Sequence, residues 1–426
     1  MDGIRKQLRR LPPAAVIKVL RKVFAYPAPA ARMILNDITR PRKTHKPWIH
    51  KVSWNNAWSG CWIGEQVHKL DAIALQRRID QADIIFFNVH GGGFRLGTST
   101  MYMDTYIRWI TFLKKKYNLK ALIMSIDYRL APEYKYPSPV EDVVKAYEHL
   151  VQTMGVDPGR VVITGDSAGA SLLLEMLFLT HDPSMFEIVT DDPEEEDMGG
   201  PMVSELPRPA GAVFVSPLVT DETTSESWRE NVKYDFISQH TAKVIKRDYF
   251  EKTPNDPDGP TEASPILGIA KLQTGFHAFL PQQVLMYIGN KEVLRDDALD
   301  LAEKAEQDGV QWESVVEDCV HDWFCVREVV KDKAMLDRAD TVFADFCYRS
   351  VIAPREGRVL DSLSARRTSE GLEAVPEDNE EGDDDSSSDE FHEALSTTDT
   401  ELEAQVLRKL EDQLPTAKSS TLTVYV

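Results

Sequence analysis

The sequence predicts an α/β protein, with a mostly parallel central sheet, helices on both faces and a helical lid. Three observations carry that expectation. Short continuous apolar runs rich in β-branched residues alternate with longer segments at helical spacing. Two of these runs end directly in glycine-rich turns, His90-Gly91-Gly92-Gly93-Phe94 and Gly165-Asp166-Ser167-Ala168-Gly169. Strand and helix in alternation also require right-handed crossovers, which build parallel strands that are buried on both faces and therefore read as unbroken apolar runs.

The elements follow in order. Residues 1–51 are rich in Lys and Arg against only Asp2 and Asp37, with Ile4, Leu8, Leu11, Val16, Ile17, Leu20 and Val23 interspersed. Pro12-Pro13 and Lys18 interrupt the apolar core that a signal peptide needs. The segment reads either as a basic amphipathic helix on an anionic membrane surface or, the preferred reading, as a lid helix with a solvated basic face. Trp48, Trp54, Trp58 and Trp62 then gather around Gly60, suggesting an aromatic wall over a pocket or a packed hydrophobic hinge.

A strand over 84–89 runs into the first glycine turn. A helix over 102–116 carries Tyr106, Trp109, Ile110 and Leu113 on one face and Lys114-Lys115-Lys116 at its carboxyl end, where cations suit the helix dipole. Ala121 to Ile126 is the next strand, leading into Asp127-Tyr128-Arg129-Leu130-Ala131-Pro132-Glu133. A helix over 139–154, the strand 161–166 and a helix over 168–179 follow. Further strands at 211–216, 283–289 and near 312–317, with a helix near 296–308, extend the sheet.

Composition adds boundaries. The chain of 426 residues carries a net charge of −20, and more than half of that excess lies in residues 355–426, leaving an ordinary globular balance elsewhere. The run Glu380 to Glu390 and its surroundings have too few apolar residues to offset ordering entropy, so 356–426 reads as a disordered acidic tail. Asp191 to Asp197 marks a solvated acidic loop within 182–209. Four scattered cysteines, Cys61, Cys319, Cys325 and Cys347, do not make a disulfide framework, and no Asn-x-Ser/Thr sequon occurs. No run of 18 apolar residues is present. A nucleic-acid role is excluded by the negative charge and the lack of a binding module.

The two glycine turns have a shared chemical logic. A serine between a buried strand and a helix, flanked by glycines, is the context of a nucleophile elbow, where a sharp turn leaves room for almost no neighbouring side chains. The loop at 90–94 is of the kind that supplies N–H groups to an oxyanion, because only glycine lets backbone come so close to a substrate oxygen.

These motifs, with Asp127 to Glu133 and Ser216-Pro217-Leu218, make the chain resemble the hormonesensitive-lipase-like esterases, a family of α/β-hydrolase fold, and its fungal-type members in particular. The resemblance runs over about 55–350. It implies Ser167 as nucleophile, with Gly92, Gly93 and Ala168 donating N–H groups to the oxyanion hole. In this fold the order along the chain is Ser, acid, His. Of the histidines after Ser167, only His321 falls shortly after the last strand; His181, His240, His277 and His392 lie in the insertion, near the lid or in the tail. The family pattern Gly-x-x-Asp-x-Leu-x-Asp meets Gly289-Asn290-Lys291-Glu292-Val293-Leu294-Arg295-Asp296, so Glu292 stands where Asp is usual, with Asp296 and Asp297 in reserve.

Two more departures stand out. Ala170 replaces a glycine, and His321 is followed by Asp322-Trp323 in place of Gly-Phe, which narrows that edge of the pocket. Arg129 and Glu133 are assigned to supporting the glycine turn.

The resemblance implies a serine hydrolase of hydrophobic acyl esters (lipid, steryl or acetyl) acting through an acyl-enzyme, with no cofactor and no metal. It divides the chain into a basic segment at 1–60, part of the lid; a catalytic domain at 61–355 with a lid insertion at about 219–265; and the tail. The expected partner is a small-molecule ester, with a peripheral lipid-surface contact through the amino-terminal segment as a further possibility and an intracellular location, cytoplasmic or at a membrane. A chymotrypsin-type protease shares Gly-Asp-Ser-Ala-Gly but is all-β with its base before the serine. A non-hydrolytic binding protein on the same fold, like the gibberellin receptors, lacks the histidine that His321 provides. An interaction protein working through its charged ends is a third alternative.

Overall fold

The computed structural model describes residues 11–55, 57–183, 205–251 and 264–357. Helices α1 (Pro13–Ala25) and α2 (Ala28–Thr39) open the described chain, each with a proline in its first turn, where the missing N–H costs nothing. Strands β1 (Ile49–Val52) and β2 (Gly60–Ile63), helix α3 (Ala72–Asp80) and β3 (Ile84–Val89) follow. Next come α4 (Met103–Tyr117), β4 (Ala121–Ile126), α5 (Ser138–Glu148), β5 (Val161–Asp166) and α6 (Ala168–His181). Then β6 (Gly211–Val215), α7 (Glu226–Asn231), α8 (Gln239–Ile245), the single turns α9 (Ile266–Ile269) and α10 (Phe276–Phe279), β7 (Gln283–Gly289), α11 (Arg295–Gln307), β8 (Gln311–Glu317) and α12 (Lys333–Cys347) complete the order.

The strands form one eight-stranded sheet in the order β1-β2-β4-β3-β5-β6-β7-β8. From β4 to β8 every pairing is parallel, whereas β1 and β2 are antiparallel additions at one edge. The fold is therefore the expected α/β-hydrolase arrangement. Strands β3, β4, β5 and β6 are buried at every position, as strands covered on both faces must be. Most predicted boundaries fall within a residue or two of those observed; the helix expected over 139–154 ends as α-helix at Glu148 and runs on as a π-helical turn over His149–Thr153. Asn118, in the left-handed conformation, stops α4 after the lysine run.

Of the two expectations for the aromatic cluster, packing rather than a pocket wall is what the structure has. Trp62 is a buried residue of β2 with Trp58 packed edge-on against it at 6.1 Å, and Trp54 is 55% exposed. None of the four tryptophans lines the cavity beside His321. The cluster is a packed strand pair, and the short β1 and β2 had no alternating pattern to announce them.

The amino-terminal helices are fastened to the site side of the molecule. Helix α1 buries Ala15, Val16, Val19 and Val23, and its Arg21 donates to the carbonyls of Val232 and Asp235. On α2, Arg32 donates to the carbonyl of Arg95 at 2.7 Å, to that of Ala131 and to Glu133. Arg129 is bonded to Asp142 and Glu141 and donates to the carbonyl of Ser138. The loop at 127–133 is thereby locked, and it holds the glycine turn through the Ala131 N–H, which donates to Phe94 at 2.9 Å. The acidic runs at 191–197 and 380–390 lie outside the described residues.

Candidate active site

Every residue expected to act lies just beyond the carboxyl end of a parallel strand: the glycine turn after β3, Ser167 and Ala168 after β5, Glu292 after β7 and His321 after β8; Ser216 follows β6 in the same way. This is the edge where α/β sheets build ligand sites. Ser167 has φ 48 and ψ −119, a conformation that a residue with a side chain adopts only when its surroundings impose it. The surroundings here are backbone: the Ser167 N–H donates to Val215 and its carbonyl accepts from Leu218. Gly169 has no room for a Cβ, which would collide with the carbonyl of Val89, and one on Gly91 would strike Asp166. The elbow and the glycine turn are thus in direct contact. Gly92 and Gly93 have φ of 107° and 60°, within the range that glycine tolerates.

His321 is buried, with its Nδ1 3.6 Å from Glu292 Oε2. Glu292 Oε2 accepts a 2.6 Å hydrogen bond from Ser216, whose hydroxyl in turn accepts from the Asp322 N–H at 3.0 Å. Ser216 itself has a positive φ of 48°, so a second sharp turn holds the acid in place. The ring of Phe236 lies edge-on to His321 at 5.3 Å. On the opposite nitrogen, Asp322 Oδ2 stands 3.3 Å from His321 Nε2. That is the side on which a base must meet Ser167, and no hydrogen bond joins Ser167 to His321 among the described residues in this conformation. Asp296 and Asp297 are engaged elsewhere, by Ser227 and Ser225.

Burial governs the protonation of the site. It lowers the pKa of His321, opposed by the nearby Asp235 and Asp166, and so holds the imidazole in its neutral form. Burial raises Glu292 to about 8, the Ser216 bond opposing it. Asp166 is raised to about 6 by burial, against the hydrogen bond from Tyr102, and Asp235 is likewise raised to about 6. Asp322 is pushed well above the ordinary carboxylate range by burial, then by Asp166, Glu292 and Asp235. Four buried carboxyl groups therefore surround one neutral histidine.

A cavity of about 160 Å³ opens beside this group. Val16, Val19, Leu20 and Phe24 of α1 form one wall, with Tyr102, Phe236 and Asp322 on the site side. Above the glycine turn sits Ile245 of α8, close enough that a Cβ on Gly93 would come within 2.7 Å of its Cδ1. Among the described residues no cluster of His, Cys, Asp and Glu could hold a metal ion.

The structure brings Ser167, Glu292, His321, Gly92, Gly93 and Ala168 to one place. Sequence reasoning gave no role to Ser216, Asp235 or Tyr102. Ser216 was detectable from its place directly after a central strand. Asp235, which accepts from the Val293 N–H at 2.8 Å beside the acid, sits in a loop with no motif around it.

The chain matches a family model described as alpha/beta hydrolase fold over residues 86–325. It is similar to an esterase of Acinetobacter venetianus, with 28% identity over 53% of this chain and 63% of that protein. A lipase 2 of a Moraxella species is 27% identical over 61% of this chain and 59% of its own. The chain thus spans about three fifths of the length of these curated relatives. A crystal structure of an esterase from the bacterial hormone-sensitive lipase family superposes with a TM-score of 0.56 at 24% identity, covering 81% of this chain and 98% of that one.

Proposed function

This chain belongs to the α/β-hydrolase fold family, whose model spans more than half of it, and on that premise we propose that it is a serine carboxylic-ester hydrolase of hydrophobic acyl esters. The observation that carries the reading is the convergence of Ser167, His321 and Glu292 with the glycine turn at one sheet edge. The names of the relatives, esterase and lipase, support the reaction class.

Ser167 Oγ attacks the ester carbonyl carbon as His321 Nε2 takes its proton. The oxyanion accepts from the N–H groups of Gly92, Gly93 and Ala168. Collapse breaks the bond to the alcohol oxygen, which takes the proton back from His321, leaving an acyl group on Ser167. A water then repeats the sequence and releases the acid. Glu292, held by Ser216, keeps the Nδ1–H tautomer and stabilises the imidazolium. In the structure as it stands Asp322 faces Nε2, so the imidazole must shift toward Ser167 for the first step.

In this reading the described parts of 1–60 and 219–265 form the lid over the cavity, whose apolar wall suits lipid, steryl or acetyl esters; residues 1–10, 56 and 252–263 of those ranges lie outside the described residues. The amino-terminal segment would also make any contact with a lipid surface. Placement among fungal-type members rests on the motif set. An intracellular setting is supported by four free, buried cysteines.

Hydrolysis of p-nitrophenyl esters from acetate to palmitate, by wild type and by Ser167→Ala, tests the proposal. Turnover with a chain-length optimum, lost in the variant, is expected. No turnover by folded wild-type protein on any ester would overturn it in favour of a binding protein on the same fold.

A further inference from the structure

The apolar cavity beside His321 ends on a carboxyl group one of whose oxygens lacks a partner. Asp322 is 3% exposed and lines the cavity, and its Oδ1 makes no hydrogen bond. A buried polar atom left unpaired is costly and uncommon, and Asp322 Oδ1, unlike the equally unpaired Glu292 Oε1 and His321 Nδ1, belongs to a residue that lines the cavity and so is open to a ligand. The electrostatics point to the sign of that ligand. Asp166, Asp235, Glu292 and Asp322 are all buried around His321, and among the described residues no lysine or arginine side chain bonds any of the four carboxyl groups. An oxyanion forming nearby is disfavoured by every one of these carboxyls that ionises, and a cation in their midst relieves that.

Position narrows the choice further. Asp322 Oδ2 is 3.3 Å from His321 Nε2, the atom that hands a proton to the leaving alcohol. A group held by Asp322 therefore lies within roughly 9 Å of the alcohol oxygen, three hydrogen-bond lengths end to end and less where the contacts bend back on themselves. A two-carbon spacer falls inside that limit.

Resting on the esterase reading, we propose that Asp322 is a specificity-determining residue that binds a protonated amine on the alcohol part of the substrate, two carbons from the ester oxygen. The apolar remainder of the substrate lies against Val16, Val19, Leu20 and Phe24. The ammonium N–H donates to the Asp322 carboxylate, drawing it away from His321 Nε2 and leaving that nitrogen to Ser167. No covalent bond forms or breaks in this step. A cationic amphiphilic ester thus completes the arrangement that a neutral one leaves obstructed.

The test compares 2-(dimethylamino)ethyl hexanoate with 3-methylbutyl hexanoate, which has the same shape but CH in place of the protonated nitrogen. Acid release at constant pH gives kcat/KM for wild type and Asp322→Asn, asparagine being tolerated at the φ of 57° found here; Asp322→Gly serves if the asparagine variant does not fold. The wild type is expected to favour the amino ester by about tenfold or more, the effect of one charge-assisted hydrogen bond, and the variant to lose that preference. The same preference in both enzymes, or none in the wild type, overturns the proposal. Calorimetric binding of both esters to Ser167→Ala and to Ser167→Ala/Asp322→Asn separates it from the esterase reading. If wild type hydrolyses neither ester, the esterase reading fails, and Asp322 is still judged by whether the first variant binds the amino ester tenfold tighter and the second does not.

Discussion

Replacing Glu292 by Gln tests the account at the group whose protonation burial perturbs most usefully. Glu292 is fully buried, and burial raises its pKa to about 8. A raised carboxyl pKa means that the ionised form, which alone stabilises the imidazolium of His321, is lost as pH falls through 8. At pH 9 about nine tenths of the enzyme carries the carboxylate and at pH 6 roughly one hundredth does, by the ordinary titration relation. His321, lowered by burial below the ordinary imidazole value of 6.5, is neutral over most of this range and does not oppose the trend. Wild-type kcat is therefore expected to climb by about 10² from pH 6 to pH 9. Glutamine cannot ionise, and loss of the orienting carboxylate in a triad costs up to about 10⁴ in turnover. The deficit of Glu292→Gln should then be about 10⁴ at pH 9 and shrink to roughly 10² at pH 6. Hydrolysis of p-nitrophenyl butyrate across pH 5.5–9.5, read as released acid, measures both curves. A wild-type profile flat between pH 7 and 9, or the same slope in the variant, refutes the reasoning.

Two further outcomes follow from packing. Gly93→Ala puts a methyl group 2.7 Å from the flexible tip of Ile245 at a φ of 60°; the protein folds, and displacement of the oxyanion amide lowers kcat by about 10²–10³, a loss under tenfold being contrary. Glu175, buried on α6, accepts from Tyr249 at 3.4 Å and from the Ile266 N–H at 3.3 Å, and burial raises it from 4.5 to about 7. Its folded form holds the proton more firmly than the unfolded chain does, so its stabilising contribution is full below pH 4.5 and is lost as pH rises through 7, up to about 3 kcal/mol. Melting curves of Glu175→Gln between pH 5 and 8 should fall less steeply with pH than those of wild type, and identical slopes would contradict this.

The central strands were readable because burial on both faces demands apolar runs: β6 is one throughout, and β3 and β5 open with Ile84 to Phe87 and Val161 to Ile163 before the buried Asn88 and Thr164, which bond each other. Their turns were readable because elbow and oxyanion loop need small residues at fixed offsets, as the clash of a Gly169 Cβ with Val89 illustrates. Strand β2 escaped notice since its pairing with β4 depends on Gly60 lying flat against Ser125 and Ile126, a tertiary contact with no local pattern. Asp322 was visible only as a departure from Gly-Phe. That its carboxyl would face His321 Nε2 is fixed by the turn at φ 57° and by Ser216 gripping its N–H, which no spacing encodes. Asp235 reaches the acid from a loop that Arg21 of α1 fastens.

The claim at the centre is that Ser167 carries the acyl group during turnover. Acid quenching of the enzyme within its first turnovers on p-nitrophenyl butyrate, followed by intact-mass and peptide mass spectrometry, looks for that species directly. The account predicts one butyryl adduct per chain, located on the peptide containing Ser167 and missing from Ser167→Ala. Hydrolysis that proceeds with no adduct, or an adduct that persists in Ser167→Ala, would contradict it.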